Sequence, residues 1–138
     1  MKGQKKPRKR KESGLITAIL EYLQCLENNK SISWVDRLNS GRIFIPNASQ
    51  SSGNRPPFNA RRSGRSIRLC RPGTPDIYVI LNNGKMLWIE GKVEDSEIQK
   101  EQFAFRELAY KCGHYHLFAG DVDSVKKFID GIASNSLI

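Results

Sequence analysis

Residues 73–92, GTPDIYVILNNGKMLWIEGK, decide the fold. They hold two apolar runs on either side of the turn sequence NNGK, at residues 77–81 and 86–90. Short runs rich in β-branched and aromatic residues around an Asn-Gly turn predict a β-hairpin. Asp76 precedes the first run, Glu90 ends the second, and Lys92 follows two residues later. The hairpin therefore brings three charged side chains to its open end.

The register of this hairpin depends on the length of its turn. A two-residue loop would place Asp76 opposite Gly91, so that Asp76 and Glu90 face opposite ways. A three-residue loop, with Gly84 in the left-handed position, pairs Asp76 with Glu90 and leaves Lys92 on the same face. This second register also sorts the side chains, because one face then carries only aliphatic residues: Ile77, Val79, Leu81, Leu87 and Ile89. We therefore predict the bulged turn.

Paired acids at the end of a sheet suggest a metal site. Two carboxylates opposed across strands lie about 5 Å apart at Cβ and repel each other. A divalent cation between them removes the repulsion, and Mg²⁺ prefers such hard oxygen ligands next to a phosphate. Lys92 could then orient a water or stabilise charge on a phosphate in the transition state. The alternative is a surface salt bridge between Lys92 and either acid.

Two amphipathic helices each offer one polar side chain on an apolar face. Apolar residues at helical spacing predict these helices at residues 12–27 and 96–111. We place Ser96 at the N-cap of the second helix and Gln99 in its capping box. Singly, Glu12 is equally a charge favourable to a helix N-terminus, and Gln102 is equally a satisfied, half-buried amide. Together with the hairpin acids, Glu12 and Gln102 indicate one convergent site.

The remaining elements complete an α/β pattern. We predict a short strand at residues 43–45, another strand at residues 114–119 and a last helix at residues 124–131. This order of elements predicts a mixed central sheet flanked by helices, and 138 residues fit one domain over residues 12–138. His114 and His116 alternate within a predicted strand and have no second pair of ligands nearby. A structural or DNA-facing role is therefore favoured over zinc binding.

Positive charge is large and unevenly distributed. Lys and Arg total 23 against 14 acids, a formal net charge of +9. Residues 1–11 are predicted to be a disordered basic arm that includes Lys5 and Lys6. Residues 47–71 are predicted to be a basic loop, whose arginines include Arg61, Arg62, Arg65, Arg68 and Arg71. Because the guanidinium fork matches phosphate oxygens, we interpret both segments as nucleic-acid contacts; solubility or disorder is the alternative.

The compartment is predicted from cysteines and hydropathy. The three cysteines are widely spaced and odd in number, which favours free thiols in a reducing compartment. No apolar run approaches the roughly 18 residues of a membrane helix, and the first apolar run lacks a cleavage site of the signal-peptide kind. We therefore expect a cytoplasmic protein that does not bind a membrane.

Several short motifs follow one another in a fixed order along the chain. They are Glu12 at the start of a helix, RLNSG at residues 37–41, GTPD at residues 73–76, IEGK at residues 89–92, Gln102 in the next helix and Gly113 after it. This ordered set, spanning about residues 12–122, resembles the virus-type replication-repair nuclease family (VRR-NUC) of the PD-(D/E)XK nuclease superfamily. The resemblance implies a restriction-endonuclease-like core.

The resemblance also implies an activity. It implies a metal-dependent nuclease that cuts phosphodiester bonds in DNA, using Mg²⁺ or Mn²⁺. The implied metal ligands are Glu12, Asp76, Glu90 and the carbonyl of Gly91. Lys92 and Gln102 would assist the water and the phosphate, and Arg37 and Asn39 are expected to contact DNA.

Stand-alone members of this family are typically phage or bacterial proteins similar to Holliday-junction resolvases. The resemblance therefore implies a homodimer that prefers branched DNA and acts in the cytoplasm of a bacterial or phage-infected cell. One departure is Gly91, which stands where a β-branched residue is common, and predicts a looser strand end. The long basic loop is the other.

Two other functions are compatible with the sequence. A sequence-specific restriction-type nuclease would use the same chemistry but needs base-reading side chains, for which the chain is short. A non-catalytic DNA- or RNA-binding module would need only the basic segments. Three carboxylates facing DNA would weaken such binding without a metal, which favours the nuclease.

Overall fold

A computed structural model describes residues 8–38, 41–47 and 63–135. The elements in chain order are α1 (Arg8–Asn28), β1 (Trp34–Arg37), β2 (Arg42–Pro46), β3 (Gly64–Arg68), β4 (Ile77–Ile80), β5 (Met86–Gly91), α2 (Lys100–Lys111), β6 (Tyr115–Ala119) and α3 (Val122–Asn135). They divide into two compact units, Asn39–Arg71 and the rest of the chain. None of these helices, within the described residues, is long and apolar enough to cross a membrane.

The larger unit is built on a four-stranded mixed sheet. Its strand order is β1-β4-β5-β6, with antiparallel pairing from β1 to β5 and parallel pairing between β5 and β6. The parallel pair is joined through α2, because parallel neighbours need a crossover connection. The predicted mixed sheet flanked by helices is confirmed.

One face of this sheet forms the hydrophobic core with α1 and α3. The apolar stripe of α1 and the aliphatic face of the β4–β5 hairpin are both buried in a single cluster, with Val125 of α3 beside them. Its central members are Ile16, Ile19, Leu23, Ile77, Val79, Leu87 and Ile89, each at most 2% exposed. Burying a side chain of this size contributes about 1.5–3 kcal/mol. This face therefore fixes the hairpin against α1.

The β4–β5 hairpin has the predicted register. Its pairs run from Ile77 with Ile89 to Ile80 with Met86. The Leu81 N–H donates to the Lys85 carbonyl at 2.9 Å, and Gly84 has φ +83°. A three-residue turn with a left-handed glycine is therefore confirmed, and Asp76 lies opposite Glu90.

The other face of the sheet packs against α2 through aromatic rings. Phe105 contacts Trp88 edge-on, with ring centroids 5.1 Å apart. His116 lies between Phe118, at 4.7 Å, and Phe105, at 6.0 Å. His116 is 1% exposed, and neither ring nitrogen has a hydrogen-bond partner among the described residues. Of the two predicted roles, structural or DNA-facing, the burial of His116 fits the structural one, whereas His114 accepts a hydrogen bond from the Met86 N–H.

His116 is expected to make the folded protein sensitive to acid. Burial, and then the charge of Arg106, lower the pKa of His116 to about 4. The unfolded chain therefore binds this proton first, so stability is full above pH 6.5 and falls as the pH drops toward 4. Urea unfolding measures the free energy of unfolding at pH 7 and at pH 4.5. The drop between these pH values should be about 1–2 kcal/mol smaller in His116→Phe than in wild type. Equal losses in both proteins would contradict this prediction.

The smaller unit contains a two-stranded antiparallel ribbon. Strand β2 pairs with β3 from Arg42 opposite Arg68 to Pro46 opposite Gly64. The strand predicted at residues 43–45 is confirmed. The predicted basic loop over residues 47–71 is wrong at residues 64–68, which are β3. Residues 48–62, with Arg61 and Arg62, lie outside the described residues.

Helix α1 begins earlier than predicted. It starts at Arg8, so residues 8–11 are helical and the predicted disordered arm is wrong there. Residues 1–7, with Lys5 and Lys6, lie outside the described residues. Glu12 consequently stands in the second turn. Pro7 directly precedes the helix in the sequence, and proline beside a helix start is the signal that would have placed it.

Helix α2 begins later than predicted. Its N-cap is Gln99 and its first residue is Lys100. Ser96 does not cap it, because the Ser96 hydroxyl donates to the Val93 carbonyl at 2.8 Å. The helix ends at Lys111, and Gly113 follows with φ +81°, as expected for a glycine after a helix end.

Candidate active site

Asp76 immediately precedes β4 and is held there by backbone hydrogen bonds on both sides. Its N–H donates to the Ile89 carbonyl at 3.1 Å, and its carbonyl accepts from the Leu38 N–H at 2.8 Å. Its Oδ2 accepts from the Gly91 N–H at 2.9 Å. The carboxyl group is therefore fixed against the end of β5.

Glu90 lies on the central strand β5 and is only 5% exposed. Its Oε1 accepts from Gln102 Nε2 at 2.9 Å. Its Oε2 is buried and has no hydrogen-bond partner among the described residues. A buried carboxylate oxygen without a partner costs free energy, so this atom is where a cation or a donor would be stabilising.

The Asp76 and Glu90 carboxyl groups are close enough for the charge of one to affect the pKa of the other. Burial, then the negative charge of Asp76, raises the pKa of Glu90 to about 8. Burial also raises the pKa of Asp76, against the lowering effects of the Gly91 N–H and the Arg37 charge. Two acids that resist joint ionisation are typical of a site that binds positive charge.

Lys92 lies beside this pair without forming a salt bridge to it. Its Nζ donates to the Glu97 carbonyl at 3.1 Å, and its N–H donates to the Ala119 carbonyl at 2.8 Å. Its charge still lowers the pKa of both acids. Among the described residues, Lys92 forms no salt bridge with Asp76 or Glu90, so the alternative prediction of such a bridge is wrong. The Glu97 carbonyl was not predicted, because a backbone contact leaves no signal in the sequence.

Gln102 connects α2 to the acid pair. Its Oε1 accepts from the Gln99 N–H at 2.9 Å at the start of the helix, while its Nε2 donates to Glu90. The amide is thus fixed at both ends. Gln102 is therefore a satisfied, half-buried amide that contacts Glu90, and its role in a functional site stays a prediction.

Gly91 allows α1 to approach the acid pair closely. A Cβ at Gly91 would lie 2.5 Å from Ile16 Cδ1 and 3.6 Å from Asp76 Oδ2. The space that a β-branched residue would occupy is therefore filled by Ile16. The expected looser strand end is wrong, since Gly91 is buried and Ile16 is 2% exposed.

Gly91→Val is expected to destabilise the fold through this contact. The added methyl groups would overlap Ile16, and overpacking of this kind costs about 1–3 kcal/mol. Chemical denaturation of Gly91→Val, Ile16→Ala and the double variant would measure the coupling. We expect the double variant to be more stable than the sum of the two single effects predicts; simple additivity would contradict the overlap.

The predicted site residues are brought together to different degrees. Asp76, Glu90, Gly91, Lys92 and Gln102 form one cluster. Glu12 is half-buried, and its negative charge raises the pKa of Glu90 without a described hydrogen bond between them. Arg37 acts electrostatically on Asp76. Of the other predicted DNA contacts, Asn39 lies outside the described residues, and the smaller unit holds Arg65, Arg68 and Arg71.

The cluster fits a divalent cation by its chemistry. It offers adjacent carboxyl groups, one buried oxygen without a partner, and raised pKa values for both acids. Mg²⁺ and Mn²⁺ take such oxygen ligands and keep several waters or phosphate oxygens. No group of three or more His, Cys, Asp or Glu side chains in the described part of the chain is arranged to hold a metal. Among the described residues, Asp76 and Glu90 are therefore the candidate ligands, and Glu12 affects Glu90 through its negative charge.

A cavity of about 230 Å³ lies at the opposite end of the hairpin. Residues of the turn, of the segment before β1 and of α3 line it: Ser31, Leu81, Asn82, Asn83, Ile129, Ile132 and Ala133. None of these side chains ionises near neutral pH. The cavity therefore contributes nothing to the chemistry of the acid pair.

Comparisons with known proteins agree with this architecture. No family model matches the sequence, and no curated protein does. Among solved structures, the chain is similar to a VRR_NUC domain, with 20% sequence identity over 87% of this chain and 95% of that chain and a TM-score of 0.51. At this identity the similarity shows the fold. The predicted fold, a mixed sheet flanked by helices, is confirmed, and so is the resemblance to VRR-NUC at the level of fold.

Proposed function

We propose that this chain is a divalent-metal-dependent endonuclease that hydrolyses phosphodiester bonds in DNA. The observation that carries the proposal is the buried Asp76–Glu90 pair next to Lys92, at the open end of the hairpin. A fold like that of a VRR_NUC domain and a net charge of +9 support it. A polyanionic substrate suits a basic protein, because localised positive charge attracts phosphates.

Each residue of the cluster has a role in this proposal. Asp76 and Glu90 would hold Mg²⁺ or Mn²⁺, which supplies polarisation of a phosphate oxygen and a bound water of lowered pKa. Gln102 keeps Glu90 Oε1 occupied, so Oε2 is the atom directed to the site. In this proposal the Lys92 ammonium leaves the Glu97 carbonyl and binds a phosphate oxygen. It then stabilises the negative charge that develops on the phosphate.

The finer points of substrate and assembly follow from the motif resemblance. We infer a preference for branched DNA, such as a four-way junction, and a homodimer, since a two-fold axis would place two symmetric cuts. The same resemblance supports action in the cytoplasm of a bacterial or phage-infected cell.

A cleavage assay tests the proposed function. Labelled four-way junction, flap and linear duplex are incubated with the protein in Mg²⁺, in Mn²⁺ or in EDTA. We expect metal-dependent cutting, with the junction cut fastest. Binding without cutting under any metal would overturn the nuclease and leave a non-catalytic nucleic-acid-binding module, which the basic β2–β3 ribbon supports. One preferred sequence among many linear duplexes would instead indicate a restriction-type nuclease.

A further inference from the structure

The smaller unit is strongly basic and has no acidic residue. Residues 39–71 include seven arginines and no Asp or Glu. Arginines inside this unit therefore have no carboxylate of the same unit to pair with. Such a concentration of charge is costly to keep together without an external anion.

Two of these arginines face each other on the β2–β3 ribbon. Arg42 lies directly opposite Arg68, and residues opposite each other point to the same face. The Arg42 Nε donates to the Ser66 hydroxyl at 2.9 Å, which places Ser66 on that face as well. We call this face, formed by Arg42, Phe44, Ser66 and Arg68, the basic face.

Phe44 is an exposed aromatic residue at the centre of the basic face. It lies opposite Ser66, next to Gly64, and is 44% exposed. A Cβ at Gly64 would lie 2.6 Å from Phe44 Cζ, so the ring lies over the glycine backbone. Gly64 thus provides the space that lets the ring lie against the ribbon, while much of the ring stays in contact with solvent.

The exposure of Phe44 is not part of an apolar surface. Alternation along the strands puts Ile43, Ile45 and Ile67, together with Arg65, on the opposite face of the ribbon. On its own face, Phe44 therefore has the Arg42–Arg68 pair on one side along the ribbon and the Pro46–Gly64 pair on the other, with Ser66 opposite it. An exposed aromatic ring next to a pair of arginines is a combination that binds unpaired nucleotides, because each base has a flat face and each link has a phosphate.

We propose that the basic face of the β2–β3 ribbon binds single-stranded nucleic acid. Phe44 stacks on one unpaired base, and Arg42 and Arg68, which form the next pair of residues on the same face, bind the phosphates that follow on one side of that base. A base inside a duplex cannot do this, since its neighbours cover both of its faces. This inference rests on the proposed function for its choice of nucleic acid, and it names unpaired nucleotides of a branched substrate as what the ribbon binds.

The inference is tested by binding in EDTA, where cutting plays no part. Fluorescence anisotropy of the full chain is measured with a labelled oligothymidylate of about 12 nucleotides and with a duplex of the same length. Phe44→Leu is expected to weaken binding of the single strand about ten-fold and of the duplex less than about two-fold. Phe44→Trp is expected to retain wild-type affinity for the single strand, because it restores a stacking ring.

The arginines have a different signature, which salt titration separates. The measured quantity is the slope of log affinity for the single strand against log salt concentration. In the double variant Arg42→Gln/Arg68→Gln this slope should become shallower by about 1.4, as expected for two lost phosphate contacts. The charge-matched control is Lys111→Gln/Lys126→Gln, two exposed lysines of α2 and α3. Phe103→Leu, at 48% exposure, is the matched control for an exposed aromatic ring elsewhere.

Three results would overturn the inference. The first is an equal loss of affinity for single strand and duplex in Phe44→Leu. The second is a loss of single-strand affinity in Phe44→Trp protein whose circular dichroism shows that it is folded. The third is an unchanged salt slope in the arginine variant. Binding of wild type, but not Phe44→Leu, to anionic phosphatidylglycerol vesicles, with oligonucleotide binding unaltered, would identify a membrane surface instead. If the wild-type protein binds the single strand through the ribbon but cuts no DNA, only the proposed nuclease is rejected.

Discussion

Glu90→Gln is expected to abolish metal-dependent DNA cleavage and, in metal-free buffer, to make the protein more stable. The amide has the shape of the carboxyl group and still accepts the Gln102 hydrogen bond, but it lacks the charge that holds a cation. Loss of this ligand should lower the cleavage rate by about 10³-fold or more. Single-turnover cutting of a labelled four-way junction in Mg²⁺ measures this loss.

The stability gain has a defined pH dependence. Because burial and Asp76 raise the pKa of Glu90 to about 8, the unfolded chain releases this proton at lower pH than the folded chain. Wild-type stability is therefore full below about pH 4.5 and falls as the pH rises toward 8. In EDTA at pH 8, Glu90→Gln should raise the free energy of unfolding by about 2 kcal/mol.

Glu94→Gln is the matched control for this variant. Glu94 is an exposed acid shortly after β5, and its amide variant should cut and unfold like wild type. Glu90→Gln protein that still cuts at the wild-type rate would remove Glu90 from the site. An unchanged stability at pH 8 would mean that the buried pair is not strained in the absence of metal.

The hairpin could be predicted from the sequence because two independent signals agree there. A three-residue turn ending in Gly84 and the separation of five aliphatic residues onto one face favour one register. A slip by one residue would expose that entire face to water. Register then fixes the pairing of Asp76 with Glu90, so the centre of the candidate site followed from the turn and the hydrophobic alternation together.

Strands β1 and β3 could not be predicted in the same way. Trp34–Arg37 has one buried residue, Val35, and Gly64–Arg68 has none that is fully buried. Neither strand has an alternation of its own, because each is defined by hydrogen bonds to a partner strand. Local sequence is a weak guide to such edge strands.

The periphery of the site depends on contacts between distant backbone segments. Gln102 was predicted on the inner face of its helix because helical spacing is local, yet its partner Gln99 was assigned another role. The bond from Lys92 to the Glu97 carbonyl has no side-chain signature. The position of Glu12 depends on how Ile16 packs over Gly91, which helical periodicity does not specify.

Lys92→Ala is expected to lower cleavage by about 10²–10³-fold without weakening DNA binding in EDTA. Lys92 could act in two ways: it stabilises a phosphate directly, or its charge only keeps the pKa of Asp76 and Glu90 low enough for a cation to bind. The pH dependence of the rate separates these roles. Lys100→Ala, an exposed lysine at the start of α2, serves as control and should keep the wild-type rate.

If Lys92 acted only on the two acids, raising the pH would ionise them and restore the rate of the alanine variant. Saturating Mn²⁺ would do the same, because mass action compensates for a weakened site. We expect neither: the deficit should persist from pH 7 to about pH 9.5, over which both acids become ionised. Recovery to the wild-type rate at high pH would assign Lys92 to positioning the charge of the acid pair, whereas a constant deficit requires that its ammonium act on the phosphate itself.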